Sequence, residues 1–407
     1  MKIFEELEKR ELVAQVTNRE KVKEILNENK VYFYIGFDPT ADALHVGHLA
    51  QIMIASRLQR AGHVPIILFG GGTALIGDPS GKTDMRKMLT ADEINHNIER
   101  FKVQASKFID FSPGKALIVN NADWLMELNY VKFLREIGVH FSVNRMLAAE
   151  CYKQRLERGL TFFEMNYMVM QGYDFLVLNR KYGCSLELGG DDQWSNIISG
   201  VELIRKCDQK EAYGLTFKLL TTSEGKKMGK TEKGAVWLDP QKTSPYDFYQ
   251  YWRNVDDKDV VKCMQMLTHF SVEEIKIYSQ LQDQEINKAK DALAFEITKL
   301  VHGENEAKKC QDVSRAIFET KSTNENMPSY ALGKDDLVGG TIEIVELLCK
   351  SEMCPSKSEA RRLVQQGGIS VNDEKITDIH HTVSKSDLKA GVVVRKGKKV
   401  FKKIIVA

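Results

Sequence analysis

An unbroken apolar run, Val31–Phe37, passes through Asp38-Pro-Thr-Ala-Asp-Ala-Leu-His45-Val-Gly47-His48 into a helical pattern over Leu49–Ala61, and a second apolar run follows at Val64–Gly70. Strands that are apolar along their whole length are covered on both faces, and a helical crossover between two of them makes them parallel. Three further runs, Ala116–Asn121, Cys184–Gly189 and Leu215–Leu220, are separated by helical stretches over Ala91–Phe111, Trp124–Met146, from Thr161 onward and Ser195–Arg205. This alternation predicts an α/β fold built on a Rossmann-like, doubly wound parallel sheet. Residues 1–30 read as two surface helices, the second over Thr17–Asn29.

In such sheets ligands bind where strands turn into helices, because free backbone N–H groups and the helix dipole attract phosphate there. The first of these turns carries His45 and His48, which add side-chain donors, and Gly47, whose missing Cβ lets a ligand come close. The second strand runs into Gly70-Gly-Gly-Thr-Ala-Leu-Ile-Gly77-Asp78-Pro-Ser-Gly-Lys82-Thr. Its Gly-Lys-Thr is not a Walker loop, since Gly77 lies one residue nearer than G-x-x-x-x-G-K-[ST] requires. Lys82 and Arg86 remain candidates for phosphate contacts.

Tyr167, Gln171 and Asp174 fall at i, i+4 and i+7 of the helix that follows Thr161, among Met, Phe and Leu. The other faces of that helix are apolar too, so the three polar groups are enclosed and need partners, such as a small polar ligand. At Gly189-Gly190-Asp191-Asp192-Gln193-Trp194 another strand turns into a helix, with acceptors that suit ribose hydroxyls or an ammonium rather than phosphate. A plain helix cap by Asp191 or Asp192 is the alternative. After the last strand, Thr221–Gly234 is a loop of small residues and lysines containing Lys227-Met-Gly-Lys230-Thr231. Such a run is either a solvated charge cluster or a loop that closes on phosphate as charge develops there.

Four parts result: a sheet domain over 1–220, the lysine loop and a helical domain over 221–320, a polar linker over 321–340, and a small α+β domain over 341–407. The last has helices at Glu343–Lys350 and Ser356–Gln366, strands near Gly368–Val371 and Val392–Val394, and a basic end, Arg395–Lys403, without an acid. The aromatic-rich Trp124–Met146 reads equally as core or as a subunit interface. A net charge of +2 over 407 residues excludes polyanion binding by bulk charge, so any basic surface is local. Seven scattered cysteines without C-x-x-C spacing argue for reduced thiols in a cytosol-like compartment and against a zinc site. The amino terminus lacks a signal-peptide pattern, and no apolar run approaches membrane-spanning length. A cytoplasmic protein without membrane association is expected.

His45-Val-Gly-His48 at the first strand-to-helix turn and Lys227-Met-Gly-Lys230-Thr231 after the last strand resemble the HIGH and KMSKS pair of class I aminoacyl-tRNA synthetases. Together with Tyr34, Asp78-Pro-Ser-Gly, Tyr167-x-x-x-Gln171-x-x-Asp174 and Gly189-Gly-Asp-Asp-Gln-Trp194, they make nearly the whole chain similar to the bacterial-type tyrosyl-tRNA synthetases. Residues 341–407 resemble the small RNA-binding module named after ribosomal protein S-four, through Pro355-Ser-Lys-Ser-Glu-Ala-Arg-Arg-Leu-Val and Gly-Gly-Ile-Ser-Val-Asn.

The resemblance implies a tyrosine-tRNA ligase that makes tyrosyl-adenylate and pyrophosphate from tyrosine and ATP, then passes tyrosine to the terminal adenosine of tRNA(Tyr). It implies that His45 and His48 meet the phosphates and the ribose or adenine side. Lys82, Arg86, Lys227, Lys230 and Thr231 would close on the leaving pyrophosphate with Mg2+, and no tightly bound metal is implied. Asp38, Gly47, Gly189, Gly190, Asp192 and Lys230 complete the ATP site. Tyr34 and Asp174 would bond the phenolic hydroxyl, while Asp78, Tyr167, Gln171 and Gln193 hold the ammonium and carboxylate. A site built to bond a hydroxyl leaves buried groups unpaired when phenylalanine enters, and this family is itself the general example of refusal by that route. A homodimer is implied, with residues 124–146 as its seam. Ile35 and Gln51 depart from or vary in the family's pattern near the expected ATP ribose. The alternatives are a tryptophanyl enzyme, which shares both loops, and an RNA-binding protein that keeps the scaffold without the reaction.

Overall fold

A computed structural model describes residues 1–80, 88–231, 234–316, 329–333, 336–337, 339–372, 374–397 and 400–406, without the side chains of Gln154, Lys230, Thr231, Ser329, Ala390, Val400 and Phe401. Lys82 and Arg86, two of the expected phosphate contacts, lie outside the described residues. The chain divides into two units, Met1–Ala307 and Lys308–Ala407.

The first unit opens with α1 (Ile3–Lys9), β1 (Val13–Val16) and α2 (Arg19–Glu28). A crossover follows through β2 (Tyr32–Phe37), α3 (Val46–Arg60) and β3 (Val64–Phe69), and α4 (Ala91–Ala105) leads to β4 (Leu117–Asn120). Short helices α5 (Ala122–Leu125), α6 (Tyr130–Glu136), α7 (Val143–Leu147) and α8 (Glu150–Leu156) precede α9 (Phe162–Tyr182), β5 (Leu186–Gly190), α10 (Trp194–Asp208) and β6 (Tyr213–Phe217). The strands lie in the order β1-β6-β5-β2-β3-β4, with β2 to β6 parallel and β1 antiparallel on the edge beside β6. The chain winds outward from β2 to β4, then returns to place β5 on the other side of β2. That reversal opens a crevice at the carboxyl ends of β2 and β5, where open α/β sheets bind ligands.

Local chemistry sets several boundaries. Every residue of β3 is buried, as expected of a strand covered on both faces. Thr161 and Glu164 form a reciprocal capping box that starts α9, and Gly183, in left-handed conformation at φ 65°, ends it. Pro245 occupies the first turn of its helix after a Ser244 cap, as its fixed φ favours.

Three readings are corrected. Residues 1–30 hold an edge strand, β1, between the two helices, four half-buried residues too short for a period to show. The helix expected from Leu49 begins at Val46, so Gly47 and His48 lie inside its first turn. Trp124–Met146 is a series of short helical pieces, interrupted at Met126–Asn129 and by a single 3₁₀ turn at Gly138–His140.

The lysine loop carries a two-residue hairpin, β7 (Lys230–Thr231) with β8 (Gly234–Ala235). Helices α11 (Pro245–Arg253), α12 (Val260–Leu267), α13 (Val272–Tyr278), α14 (Ile286–His302) and α15 (Glu304–Arg315) follow, and the boundary between the units falls within α15.

In the second unit, β9 (Ser329–Leu332), β10 (Thr341–Glu343), α16 (Ile344–Lys350), α17 (Lys357–Gln365), β11 (Ile369–Val371), β12 (Glu374–Ile376), β13 (Thr382–Ser384), α18 (Lys385–Ala390), β14 (Val392–Lys396) and β15 (Val400–Val406) follow in sequence. Five strands form one sheet in the order β12-β11-β14-β15-β9, and β10 pairs with β13. Leu347, Leu348, Val364, Ile369, Val392 and Ile404 belong to its core. Ser329–Leu332, inside the stretch read as a linker, pairs in parallel with the last strand. Its partner lies some seventy positions further on, which is why the polar residues before it dominate a local reading.

Candidate active site

A cavity of about 380 Å³ lies in the crevice. Its walls include Tyr34, Asp38, His45, Gly47, His48, Asp78, Tyr167, Gln171, Asp174, Gly189, Asp192, Gln193 and Lys227, so candidates from five separate stretches meet around one space. Gly190 is not on the wall; a Cβ there would meet Leu219 and Asp192, so its smallness serves packing. Of the two variable positions, Gln51 lines the cavity and Ile35 does not, being fully buried in β2.

The two histidines are organised by the first turn of α3. His45 is the N-cap: its Nδ1 accepts the Gly47 N–H at 3.0 Å, and His48 Nδ1 accepts the His45 N–H at 3.1 Å. The rings stack with centroids 3.9 Å apart and planes 20° apart. A nitrogen that accepts carries no proton, so each neutral ring places its proton on Nε2, where it can be donated. Gly47 has a reason other than ligand approach: a Cβ there would sit 2.8 Å from His45 Cε1. Glycine is what lets the His45 ring fold back as the cap.

Deeper in the cavity, Tyr167, Gln171 and Asp174 are all buried on α9. Asp174 accepts from Trp124 Nε1 at 2.7 Å and from Asn121 Nδ2 at 2.9 Å, and burial pushes its carboxyl up to about 8. Asn121 Nδ2 also donates to Thr73 Oγ1, which donates to Asp38 Oδ1 at 2.8 Å. Tyr167 donates its hydroxyl to Asp38 Oδ2 at 2.9 Å. One network thus holds Asp38 and Asp174, and Asp38 is a structural acceptor as well as a wall residue. Tyr34 is buried beside Asp174, and desolvation first, then the nearby Glu187 and Asp174 carboxyls, keep its phenol protonated well above the usual range. A protonated phenol facing this cavity can donate or accept.

Gln193 Nε2 donates to Asp78 Oδ2 at 2.8 Å while its Oε1 accepts from Asn196 Nδ2 at 3.1 Å, so Gln193 orients Asp78. Lys227 Nζ lies 3.2 Å from Asp192 Oδ2 in a half-exposed pair of little energetic weight.

Asn121, Trp124, Thr73 and Glu187 escaped the sequence reading. The two asparagines closing β4 were visible as polar residues at a core strand's end, whereas Trp124 read as packing. Glu187 sits on β5, fully buried, and its Oε1 accepts from Gln171 Nε2 at 2.9 Å. That bond leaves the Gln171 carbonyl as the end free for a donor such as an ammonium. Glu187 Oε2 has no hydrogen-bond partner among the described residues, and burial pushes the carboxyl from 4.5 up to about 8. The folded state therefore holds a proton that the unfolded chain releases, and stability falls as pH rises from about 4.5 to about 8. Glu187→Gln should make that decline shallower by up to about 1.4 kcal/mol per pH unit. Urea unfolding of both proteins at several pH values checks this.

Residues 26–319 match the family of class I tRNA synthetases for tryptophan and tyrosine, and residues 319–404 match the C-terminal domain of SYY-like tyrosine–tRNA ligases. The tyrosine–tRNA ligase of Acetivibrio thermocellus is 58% identical over 403 residues, covering 99% of this chain and 98% of that one. The chain belongs to the tyrosine–tRNA ligases. A second ligase of this name, from Clostridium botulinum, is 58% identical over 406 residues and covers 99% of each chain. Among solved structures, a C-terminally truncated mitochondrial tyrosyl-tRNA synthetase of Aspergillus nidulans superposes with TM-score 0.70 at 28% identity, covering 78% of this chain and 94% of that one. A tryptophanyl-tRNA synthetase of Encephalitozoon cuniculi, at 14% identity and TM-score 0.56, covers 75% of this chain and 87% of that one and shares the fold. The cavity of this tyrosine–tRNA ligase family member thus joins a buried Tyr34 and Asp174 with the paired histidines and Lys227 of the lysine loop in one lining.

Proposed function

We propose that the chain joins L-tyrosine to tRNA(Tyr) at the expense of ATP. The observation that carries this reading is one cavity lined by Tyr34 and Asp174, which suit a phenol, together with His45, His48 and Lys227 of the lysine loop, which suit phosphate. The tyrosine carboxylate attacks the α-phosphorus, a new C–O–P link forms, and the bond to pyrophosphate breaks. The protein supplies no nucleophile; it positions the reactants and stabilises the charge that develops on the leaving group. The two Nε2–H groups of His45 and His48 donate toward that charge, and Lys227, Lys230, Thr231, Lys82 and Arg86 are assigned to the same charge on the leaving pyrophosphate. Asp192 and Gly189 take the ribose. Asp78, held by Gln193, and the Gln171 carbonyl, held by Glu187, take the ammonium together with Tyr167. In the second step a ribose hydroxyl of the tRNA's terminal adenosine attacks the tyrosyl carbonyl and AMP leaves.

No group of three or more His, Cys, Asp or Glu side chains that could hold a metal is present among the described residues. Magnesium in this reading arrives with the nucleotide's phosphates, as that ion usually does.

Tyr34→Phe removes one hydroxyl partner of the substrate and should lower the preference for tyrosine over phenylalanine about tenfold, the worth of one buried neutral hydrogen bond. The ratio of kcat/KM for the two amino acids in pyrophosphate exchange measures it.

The chain acts in this reading as a cytoplasmic homodimer; no described helix is long and apolar enough to cross a membrane, and all seven cysteines are free thiols. Tyr130, Val131, Leu134 and Val139 are exposed on and after α6, an apolar patch that suits the seam between two copies. Sedimentation should show the mass of two chains, and Val131→Glu with Val139→Glu should shift it to one. The whole reading is tested by offering the purified chain labelled tyrosine, ATP and tRNA(Tyr). Acid-precipitable tyrosine that depends on all three supports it, and its absence refutes it.

A further inference from the structure

The loop that carries Lys227 and Lys230 is fastened to the helices that follow it. The Gly229 N–H donates to the Tyr251 hydroxyl of α11 at 2.8 Å. Lys262 of α12 donates from Nζ to both the carbonyl and the hydroxyl oxygen of Thr221, each at 2.8 Å, at the base of the loop. Between these points the Met228 side chain is buried, with its sulfur 3.8 Å from Cys263 Sγ.

Gly229 is wedged from the other side as well. Its φ is +79°, and a Cβ on it would lie 2.8 Å from Cβ of Val46, the first residue of α3 between His45 and Gly47. Its carbonyl accepts the Val236 N–H at 2.8 Å, and Val236 in turn accepts the Val46 N–H at 3.1 Å. Where the Gly229 amide sits therefore fixes the backbone of both flanking lysine positions relative to the histidine turn.

We infer that Tyr251 and Lys262 are positioning residues of the reaction: they hold the lysine loop against the first turn of α3, so that its cations are in place when charge develops on the leaving pyrophosphate. Neither residue lines the cavity, so neither touches a reactant. The inference rests on the reading that the loop serves the phosphate end. Preorganisation of this kind acts on the transition state and leaves ground-state binding at the far end of the cavity alone.

The test is the rate of adenylate formation at saturating tyrosine and ATP in full-length Tyr251→Phe and Lys262→Met. Each should fall about three- to tenfold, the effect of one or two hydrogen bonds, with the tyrosine KM unchanged and the melting temperature lowered by no more than those bonds are worth. A hydroxyl or ammonium that only braced the fold would lower the melting temperature and leave the rate below it unchanged, or would shift the tyrosine KM, and either outcome overturns the inference. The unmutated protein and Lys230→Ala are run alongside. Tyrosine-dependent exchange in the first and its loss in the second uphold the role of the loop, and unmutated rates in Tyr251→Phe and Lys262→Met would then overturn this inference alone. No exchange in the unmutated protein would overturn both.

Discussion

His45→Asn is expected to slow adenylate formation by about 10²–10³-fold while the tyrosine KM stays within about twofold. The choice of Asn matters. His45 caps α3 by accepting the Gly47 N–H, and asparagine is among the best residues for that task, so the helix and the crevice should survive. What asparagine cannot supply is a proton donor at the distance of the imidazole Nε2. A donor aimed at charge that develops only in the transition state changes kcat and not ground-state binding. Stopped-flow measurement of the single turnover, with tyrosine affinity measured separately by equilibrium dialysis, checks both halves. A KM that rises in step with the fall in rate would show that His45 orders the whole site and does not act on the phosphate.

Ending the chain after residue 316 should leave tyrosine-dependent pyrophosphate exchange within about twofold and lower tRNA charging by 10²-fold or more, as expected when most backbone contacts to an RNA are removed. The sheet, the cavity and the helices α11 to α15 precede that cut, and the solved relative from Aspergillus nidulans is itself a C-terminally truncated form. The second unit, by contrast, has its own core and the basic stretch that ends in Lys402 and Lys403. Retained charging would place RNA recognition in the first unit.

The parallel sheet was legible because its strands are buried on both faces and so read as unbroken apolar runs. Residue β1 pairing was not, since a four-residue edge strand packs on one side only and its partner, β6, lies some two hundred positions away. The same limit hid Ser329–Leu332, whose pairing with β15 is equally remote. At the site, residues whose types are rare in their surroundings stood out: histidines at a turn, an aspartate inside an apolar helix, lysines in a loop of small residues. The residues behind them did not. Trp124 holds Asp174 with its indole N–H, but a tryptophan in an aromatic stretch gives no sign of that bond. Glu187 resembles the polar position of an alternating strand until the structure shows it fully buried and bonded to Gln171. Gly47 was picked out for its missing Cβ as a point of ligand approach; it lines the cavity, and the same missing Cβ also makes room for the His45 ring.

The central claim is that the phenol-binding and phosphate-binding ends of one cavity act together on tyrosine. Amino-acid-dependent ATP–pyrophosphate exchange, with tyrosine, tryptophan and phenylalanine offered separately and no RNA present, tests it most directly. The account predicts exchange with tyrosine and none above background with the other two at equal concentration. Exchange with tryptophan, or no exchange with any of the three, would contradict it.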